Sequence, residues 1–225
     1  MDLRQAARLF LNLCRSGTTP RVWPRSVQIA RGALDRGAWQ KAAEFVPLVA
    51  LVAQRRPNTV VEIGSAVGGT LWAWCQVADD RATIVTVDLP GAPFGTVDSR
   101  PDEWESFTRA SQRIEVVLGD SHRAETRARA ERAVCGVVDF LFIDGDHTYD
   151  GVRHDFDMYG PLVRAGGMIA LHDIVPEPTL HPDFVGEVHR FWPELKRNFR
   201  TLELLDPADD RGWGGRWGGI GVVFP

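Results

Sequence analysis

Cysteine is scarce in this chain, and its few cysteines are far apart. Cys14, Cys75 and Cys135 are odd in number and form no CxxC pair, so the sequence favours neither a disulfide framework nor a zinc site. Scattered thiols of this kind are typical of a reducing compartment. We therefore expect a cytoplasmic protein.

Long apolar runs and an excess of positive charge are also missing. The longest apolar run, FVPLVALVA at 45–53, is too short to cross a bilayer and indicates a packed helix. The N-terminal stretch 1–17 carries charges throughout and resembles neither a signal peptide nor a membrane span. A formal net charge of -4 supplies no broad attraction to nucleic acid or to an anionic membrane. We expect neither as a partner.

What the chain does have, after a helical first quarter, is a series of short apolar runs. The seven runs are 59–63, 83–89, 114–120, 138–146, 167–174, 201–205 and 219–224. The first five are nearly continuous in apolar residues, which is typical of parallel strands buried on both faces. Helical patterns lie between them at 68–78, 123–134 and 149–163. The pattern predicts a doubly wound, mostly parallel α/β sheet closed by an antiparallel strand pair.

The pattern divides the chain into two parts. Residues 1–56 are predicted to form an N-terminal helical extension, and residues 57–225 the α/β domain. An added helical segment is a candidate for pairing subunits into a homo-oligomer. The stretches 90–107, 175–192 and 209–219 do not fit the alternation. They are candidates for lids or substrate walls, with ordinary surface loops as the alternative.

A glycine-rich loop joins the first predicted strand to the next helix, in VVEIGSAVGGT at 60–70. Gly64, Gly68 and Gly69 allow a tight turn and a close approach of a ligand to the backbone. The helix that follows favours anionic groups at its N-terminus. The dinucleotide fingerprint GxGxxG would need a glycine where this chain has Ala66. Glu62 precedes the loop.

Two further acids end predicted strands. Asp88 follows the second strand, where a carboxylate can accept hydrogen bonds from both hydroxyls of a ribose. Asp120 ends the third strand and is followed by Ser121; a carboxylate there can meet the amino group of a base. A helix cap is the alternative role for each acid.

With these motifs in order, the chain resembles the class I S-adenosylmethionine-dependent methyltransferases over roughly residues 40–225. The resemblance implies a Rossmann-like sheet of seven strands and S-adenosylmethionine as cofactor. It places the glycine loop at the methionine part, Asp88 at the ribose, and Asp120 with Ser121 near the adenine. The cofactor-binding residues it implies are Glu62, Gly64, Ser65, Gly68, Gly69, Asp88, Asp120, Ser121 and Asp144.

A second acidic centre is predicted at the ends of the fourth and fifth strands. Asp144 ends the fourth, and the pair His172–Asp173 ends the fifth. Adjacent parallel strands lie about 4.8 Å apart, so these side chains are expected to converge. Two carboxylates and an imidazole form a plausible site for one divalent cation. The alternatives are helix caps, cofactor contacts only, and a core histidine.

The same spacing resembles metal-dependent small-molecule O-methyltransferases of the catechol and macrocin type. By that resemblance Asp144, His172 and Asp173 would bind a metal, Mg²⁺ or Mn²⁺, and His147 would be the catalytic base, with Asp144 beside it. His172 departs from the family's all-oxygen ligand pair, and a histidine suits Mn²⁺ better than Mg²⁺. Asp146 is a candidate for orienting the loop or for binding the metal through water.

The resemblance implies an O-methyltransferase that acts on a hydroxyl of a small polar molecule, such as a sugar or a natural product. Two alternatives stay open from the sequence. One is an oxidative enzyme on the same fold, like the cephalosporin-hydroxylase group, and the other is a cofactor-binding subunit without catalysis. On the helix after the fourth strand, His154, Asp155 and Asp157 are predicted to be solvated.

Overall fold

The computed structural model describes residues 3–89, 91, 101–176, 186–206, 208 and 216–225. Helices and strands alternate along most of this length. The α-helices within these residues are α1 (Leu3–Arg15), α2 (Trp23–Leu34), α3 (Ala42–Arg55), α4 (Gly69–Val77), α5 (Pro101–Glu105), α6 (Ala124–Val134), α7 (Tyr149–Tyr159) and α8 (Val188–Asn198). The strands are β1 (Thr59–Ile63), β2 (Thr83–Asp88), β3 (Arg113–Leu118), β4 (Val138–Ile143), β5 (Val163–Leu171), β6 (Arg200–Leu204) and β7 (Ile220–Phe224).

The strands form one seven-stranded sheet in the order β3-β2-β1-β4-β5-β7-β6. Neighbours from β3 to β5 pair in parallel, whereas β7 is antiparallel to both β5 and β6. The predicted Rossmann-like fold, with its closing antiparallel pair, is confirmed. Because β1, β2, β4 and β5 are parallel, their carboxyl ends lie along one edge, and the glycine loop and the strand-end acids follow them there.

The central strands are buried on both faces, as their apolar runs predict. Successive side chains of a strand point to opposite faces, and β4 shows this directly. Phe140 and Phe142 pack in the cluster that contains the rings of Phe45 and Trp74. Leu141 packs in the cluster on the other face. Each sheet face thus has its own apolar core.

The N-terminal helices pack directly on one face of this sheet. Residues of α1, α2 and α3 belong to the same buried cluster as the strand residues Phe140 and Phe142. Asn12 of α1 donates to the carbonyls of Ala43, at 2.8 Å, and Leu205, at 2.9 Å. The extension therefore shares a core with the sheet. The boundary at residue 56 and the pairing of subunits remain predictions.

The stretch 175–192 differs from its prediction as an irregular loop, since α8 begins at Val188. Its buried residues Val188, Phe191 and Leu195 recur at helical spacing, and this stripe outweighs Pro193, which lies inside the helix. Segments 92–100, 177–185 and 209–215 lie outside the described residues, and with them most of the candidate lids. No helix in the described part of the chain is long and apolar enough to span a membrane.

Candidate active site

The glycine loop lies against the end of β4. Gly64 has a φ of 83°, and a Cβ at this position would collide with the carbonyl oxygen of Asp144. Gly68, with a φ of 89°, precedes α4 and has no room for a Cβ beside the indole of Trp104. Gly69 packs against the backbone of Ala38. Glycine at 64 and 68 is therefore required by both conformation and space, whereas Gly69 serves the contact with the N-terminal segment.

Glu62 lies fully buried beneath this loop. Its carboxylate accepts hydrogen bonds from the Ser65 hydroxyl and from Trp74 Nε1, the latter at 2.7 Å. Burial raises the pKa of Glu62 to about 7, against the opposing effect of hydrogen bonds from Ser65, Thr70 and Trp74. This geometry gives Glu62 the role of holding the loop in place. Cofactor contact by Glu62 and Ser65 remains a prediction.

Asp88 lies at the end of β2, beside the glycine loop, and is 7% exposed. Its Oδ1 accepts a hydrogen bond from the Leu89 N–H at 2.8 Å, while its Oδ2 has no hydrogen-bond partner among the described residues. Burial raises the pKa of the Asp88 carboxyl to about 6, partly offset by the nearby backbone N–H groups of Leu89, Ala66 and Ser65. A buried carboxylate oxygen without a donor is costly, and a ligand hydroxyl would supply one.

Asp120 begins a turn after β3, and Asp155 of α7 lies close to this turn. Asp120 Oδ1 accepts from the His122 N–H at 2.9 Å, and the carbonyl of Ser121 accepts from the Tyr159 hydroxyl at 3.0 Å. Asp155 is fully buried, so its prediction as a solvated side chain is wrong. Its Oδ1 lies 3.5 Å from His122 Nε2. Burial raises the pKa of Asp155 to about 6 despite this histidine.

The ends of β4 and β5 bring four titratable side chains together, as the strand order predicts. His172 Nδ1 lies 3.2 Å from Asp144 Oδ1 and 3.2 Å from Asp173 Oδ1. His147 Nδ1 lies 2.7 Å from Asp173 Oδ2, and His147 Nε2 lies 3.8 Å from Asp144 Oδ1. Asp173 adopts a left-handed φ of 59°, a conformation that aspartate tolerates better than most residues.

The neighbouring carboxylates favour the protonated form of both histidines. Burial alone would lower the pKa of His147, but Asp173 and Asp144 raise it to about 9. Burial also opposes charge on His172, yet the same two carboxylates hold its pKa well above the usual value. The pKa of Asp173, which burial alone would raise, is held well below its ordinary range by His172 and His147.

A family model described as a methyltransferase domain matches residues 61–174, just over half of the chain. The chain belongs to this methyltransferase family. The predicted resemblance to S-adenosylmethionine-dependent methyltransferases is thereby confirmed. The matched segment runs from β1 through the residues that follow β5, so it contains the glycine loop, Asp88 and the four titratable side chains.

Solved structures of O-methyltransferases share the fold of this methyltransferase. One is an O-methyltransferase from Bacillus cereus in complex with SAH, at 19% identity and a TM-score of 0.60, covering 92% of each chain. A second is TomG from Streptomyces achromogenes, which is involved in tomaymycin synthesis and was solved in complex with SAM. It is 17% identical with a TM-score of 0.58, and the match covers 92% of this chain and 91% of TomG. At these identities the likeness shows the fold.

Two further matches cover less of the other protein. MycE of the mycinamycin biosynthetic pathway, in complex with Mg and SAH, gives 18% identity and a TM-score of 0.56, covering 88% of this chain and 53% of its own. An uncharacterized protein of Acanthamoeba polyphaga mimivirus is 50% identical over 36 residues, which is 16% of each protein. This methyltransferase thus spans about half of MycE.

The site of this methyltransferase also contains two residues that the sequence patterns did not point to. Glu44 of α3 is fully buried, and its Oε1 lies 3.2 Å from His172 Nε2. Gln40, just before α3, donates from Nε2 to Asp144 Oδ2 at 2.7 Å. Both belong to the N-terminal segment, 128 and 104 residues from their partners. A polar pair four residues apart, at the start of an apolar helix, was the available signal.

Asp146 has a local role in this methyltransferase. Its Oδ1 accepts from the Thr148 N–H at 2.9 Å, and its carboxylate packs over Gly151. Thr148 in turn caps α7 by accepting from the Gly151 N–H at 3.0 Å. Asp146 therefore orients the loop that presents His147, which agrees with one of the roles predicted for it.

Proposed function

We propose that this methyltransferase transfers the methyl group of S-adenosylmethionine to a hydroxyl oxygen of a small polar molecule, with His147 as the general base. The observation that carries the proposal is the contact between His147 Nδ1 and Asp173 Oδ2, at 2.7 Å. A carboxylate on one ring nitrogen fixes the orientation of an imidazole whose other nitrogen can take up a proton. The His147 side chain is 22% exposed, so a substrate can reach it.

The chemistry follows from this arrangement. The bound cofactor supplies an electrophilic methyl group on a positively charged sulfur. With the cofactor bound, the substrate oxygen would form a bond to that carbon as the carbon–sulfur bond breaks, and His147 Nε2 would take the hydroxyl proton. Asp173 stabilises the imidazolium that results, and Asp144, 3.8 Å from Nε2, faces the same space. Holding the two reactants in line supplies much of the rate.

We assign cofactor binding to the residues at and after the ends of β1, β2 and β3, at the same end of the sheet. Asp88 is positioned to accept from the ribose hydroxyls through a carboxylate oxygen that has no partner among the described residues. The glycine loop around Gly64 would lie along the methionine part, and Asp120 with Ser121 near the adenine. These assignments come from the family resemblance and are supported by the burial of Asp88 beside the loop.

Our second proposal is that a divalent cation binds at the ends of β4 and β5, where the side chains present are suitable ligands. Asp144, His147 and Asp173 each offer one ligand atom, and these atoms lie within 4.8 Å of one another. This set has His147 in place of the predicted His172: both ring nitrogens of His172 lie 3.2 Å from carboxylates, whereas His147 Nε2 lies 3.8 Å from Asp144. A His147 nitrogen that binds an ion cannot also accept the proton, so an ion held there would activate the hydroxyl in place of His147, by lowering the pKa of the coordinated hydroxyl. Two carboxylates and an imidazole suit Mn²⁺ better than Mg²⁺.

The experiment that tests the proposed function supplies methyl-labelled S-adenosylmethionine with matched sugars and phenols that carry either a hydroxyl or an amine at the same position. We expect label to enter the hydroxyl compounds, with mass spectrometry placing the methyl group on oxygen. Label only in amines, or oxygen consumption instead of methyl transfer, would contradict the proposal. Elemental analysis and activity after chelation decide the metal separately: an active, metal-free enzyme would overturn the cation proposal.

A further inference from the structure

A buried carboxylate from the N-terminal helices, Glu44, reaches the candidate active site. It lies outside the segment 61–174 that the family model matches. Glu44 lies in the first turn of α3, and none of its surface is exposed. Its Oε2 accepts from the Gly219 N–H at 2.8 Å, and its Oε1 accepts from the Lys41 N–H at 3.0 Å. The same Oε1 lies 3.2 Å from His172 Nε2.

His172 is thereby held at both ends of its ring. Nε2 meets Glu44, and Nδ1 meets both Asp144 and Asp173 at 3.2 Å. An imidazole fixed at one nitrogen cannot turn its other nitrogen away without losing the first contact. The ring therefore acts as a spacer between α3 and the two carboxylates that face His147.

We propose that Glu44 is a positioning residue: by fixing the His172 ring it sets the place of the Asp144 and Asp173 carboxylates beside His147. The inference deepens the proposed function and rests on it for its effect on turnover. Gln40 holds the other oxygen of Asp144 from the same segment, with its Nε2 2.7 Å from Asp144 Oδ2. The N-terminal helices are thus part of the catalytic arrangement.

Two substitutions distinguish the effect of the side-chain length of Glu44 from the effect of its charge. Glu44→Asp keeps the carboxylate but withdraws it by one methylene. Glu44→Gln loses the charge and the acceptor for the Gly219 N–H, but it keeps one oxygen that can accept from His172 and Lys41. If position matters, we expect Glu44→Asp to lower kcat by about 10- to 100-fold, since a misplacement of about 1 Å can cost that much. Glu44→Gln should retain most of the turnover, with the KM values of both variants near wild type.

Lys41→Met is the matched structural control. Lys41 precedes the same helix and is 2% exposed, and its Nζ donates to the carbonyls of Asp206, at 3.1 Å, and Ala208, at 2.7 Å. The substitution should lower Tm without the loss of kcat seen in Glu44→Asp. Three results would each overturn the proposal: a wild-type kcat in Glu44→Asp, a kcat of Glu44→Gln below that of Glu44→Asp, or a loss of kcat in Lys41→Met equal to that in Glu44→Asp.

A measurement without turnover keeps this test separate from the proposed function. In a crystal structure of Glu44→Asp we expect the His172 ring to have left hydrogen-bonding distance of Asp144; an unmoved ring would refute the positioning role even if no hydroxyl were ever methylated. Should Glu44→Asp not fold, His172→Asn takes its place, because asparagine keeps a donor for Asp144 and cannot reach Glu44. Wild-type turnover in His172→Asn would refute the proposal as well.

Discussion

His147→Ala is expected to lower kcat by about 10²–10⁴-fold, the usual contribution of a general base, while the affinity for S-adenosylhomocysteine changes little. The substituted side chain is partly exposed, and its hydrogen-bonding role is toward Asp173, not toward the cofactor loop. Methyl transfer under saturating cofactor gives kcat, and calorimetry with S-adenosylhomocysteine gives the affinity. If the His147→Ala variant turns over at the wild-type rate, His147 is not the general base.

The pH profile gives an independent check on the same residue. Only neutral His147 can accept a proton, and the neighbouring carboxylates raise its pKa to about 9 although burial opposes the charge. The fraction able to act as base therefore increases with pH, so kcat/KM should rise toward pH 9 and level above it. His147→Gln should lack this limb. His154→Ala, which removes an exposed histidine from α7, is the control and should keep it.

Asp88→Asn is expected to weaken S-adenosylhomocysteine binding by about 10- to 100-fold, because a hydrogen bond to a charged group contributes about 1.5–3 kcal/mol. The carboxylate can accept from both ribose hydroxyls, whereas the amide can accept with one atom only. Protonation has a similar effect. With the Asp88 pKa raised to about 6, wild-type affinity should fall as the pH drops through 6, and Asp88→Asn should lose this dependence.

Asp80→Asn provides the matched control for Asp88. Asp80 precedes β2 at the opposite edge of the sheet, where its exposed carboxylate lies 3.4 Å from Arg109. The same change of charge there should leave the affinity for S-adenosylhomocysteine within experimental error of wild type. Equal affinities of Asp88→Asn and wild type, at neutral pH and over the pH series, would remove Asp88 from the cofactor site.

The sequence predicts the sheet and its reactive edge well, because both depend on local patterns. The run 59–63 coincides with β1, and the run 83–89 exceeds β2 by one residue. Strand order then brings Asp144 beside His172 and Asp173 through the parallel pairing of β4 and β5. These are consequences of continuous apolar runs, which indicate strands buried on both faces, and of chain order, and a single sequence contains both.

The contacts that the sequence did not predict join distant segments or are set by side-chain burial. Glu44 reaches His172 across 128 residues, and no periodicity relates the two. Asp155 is buried, whereas its place on a polar helix face predicts a solvated side chain. It lies on α7 between Val152 and Tyr159, both of them buried, and this helical spacing indicates burial. The sequence does not predict the pKa of about 9 for His147 either, since it arises from Asp173, which follows β5, and from Asp144.

The measurement that tests the account most directly is a crystal structure of the protein with S-adenosylhomocysteine and a small hydroxyl acceptor. The account predicts the ribose hydroxyls on Asp88, and the acceptor oxygen between the cofactor sulfur and His147 Nε2, within hydrogen-bonding distance of that nitrogen. A sulfur that faces another part of the molecule, or an acceptor oxygen out of reach of His147, would contradict the account.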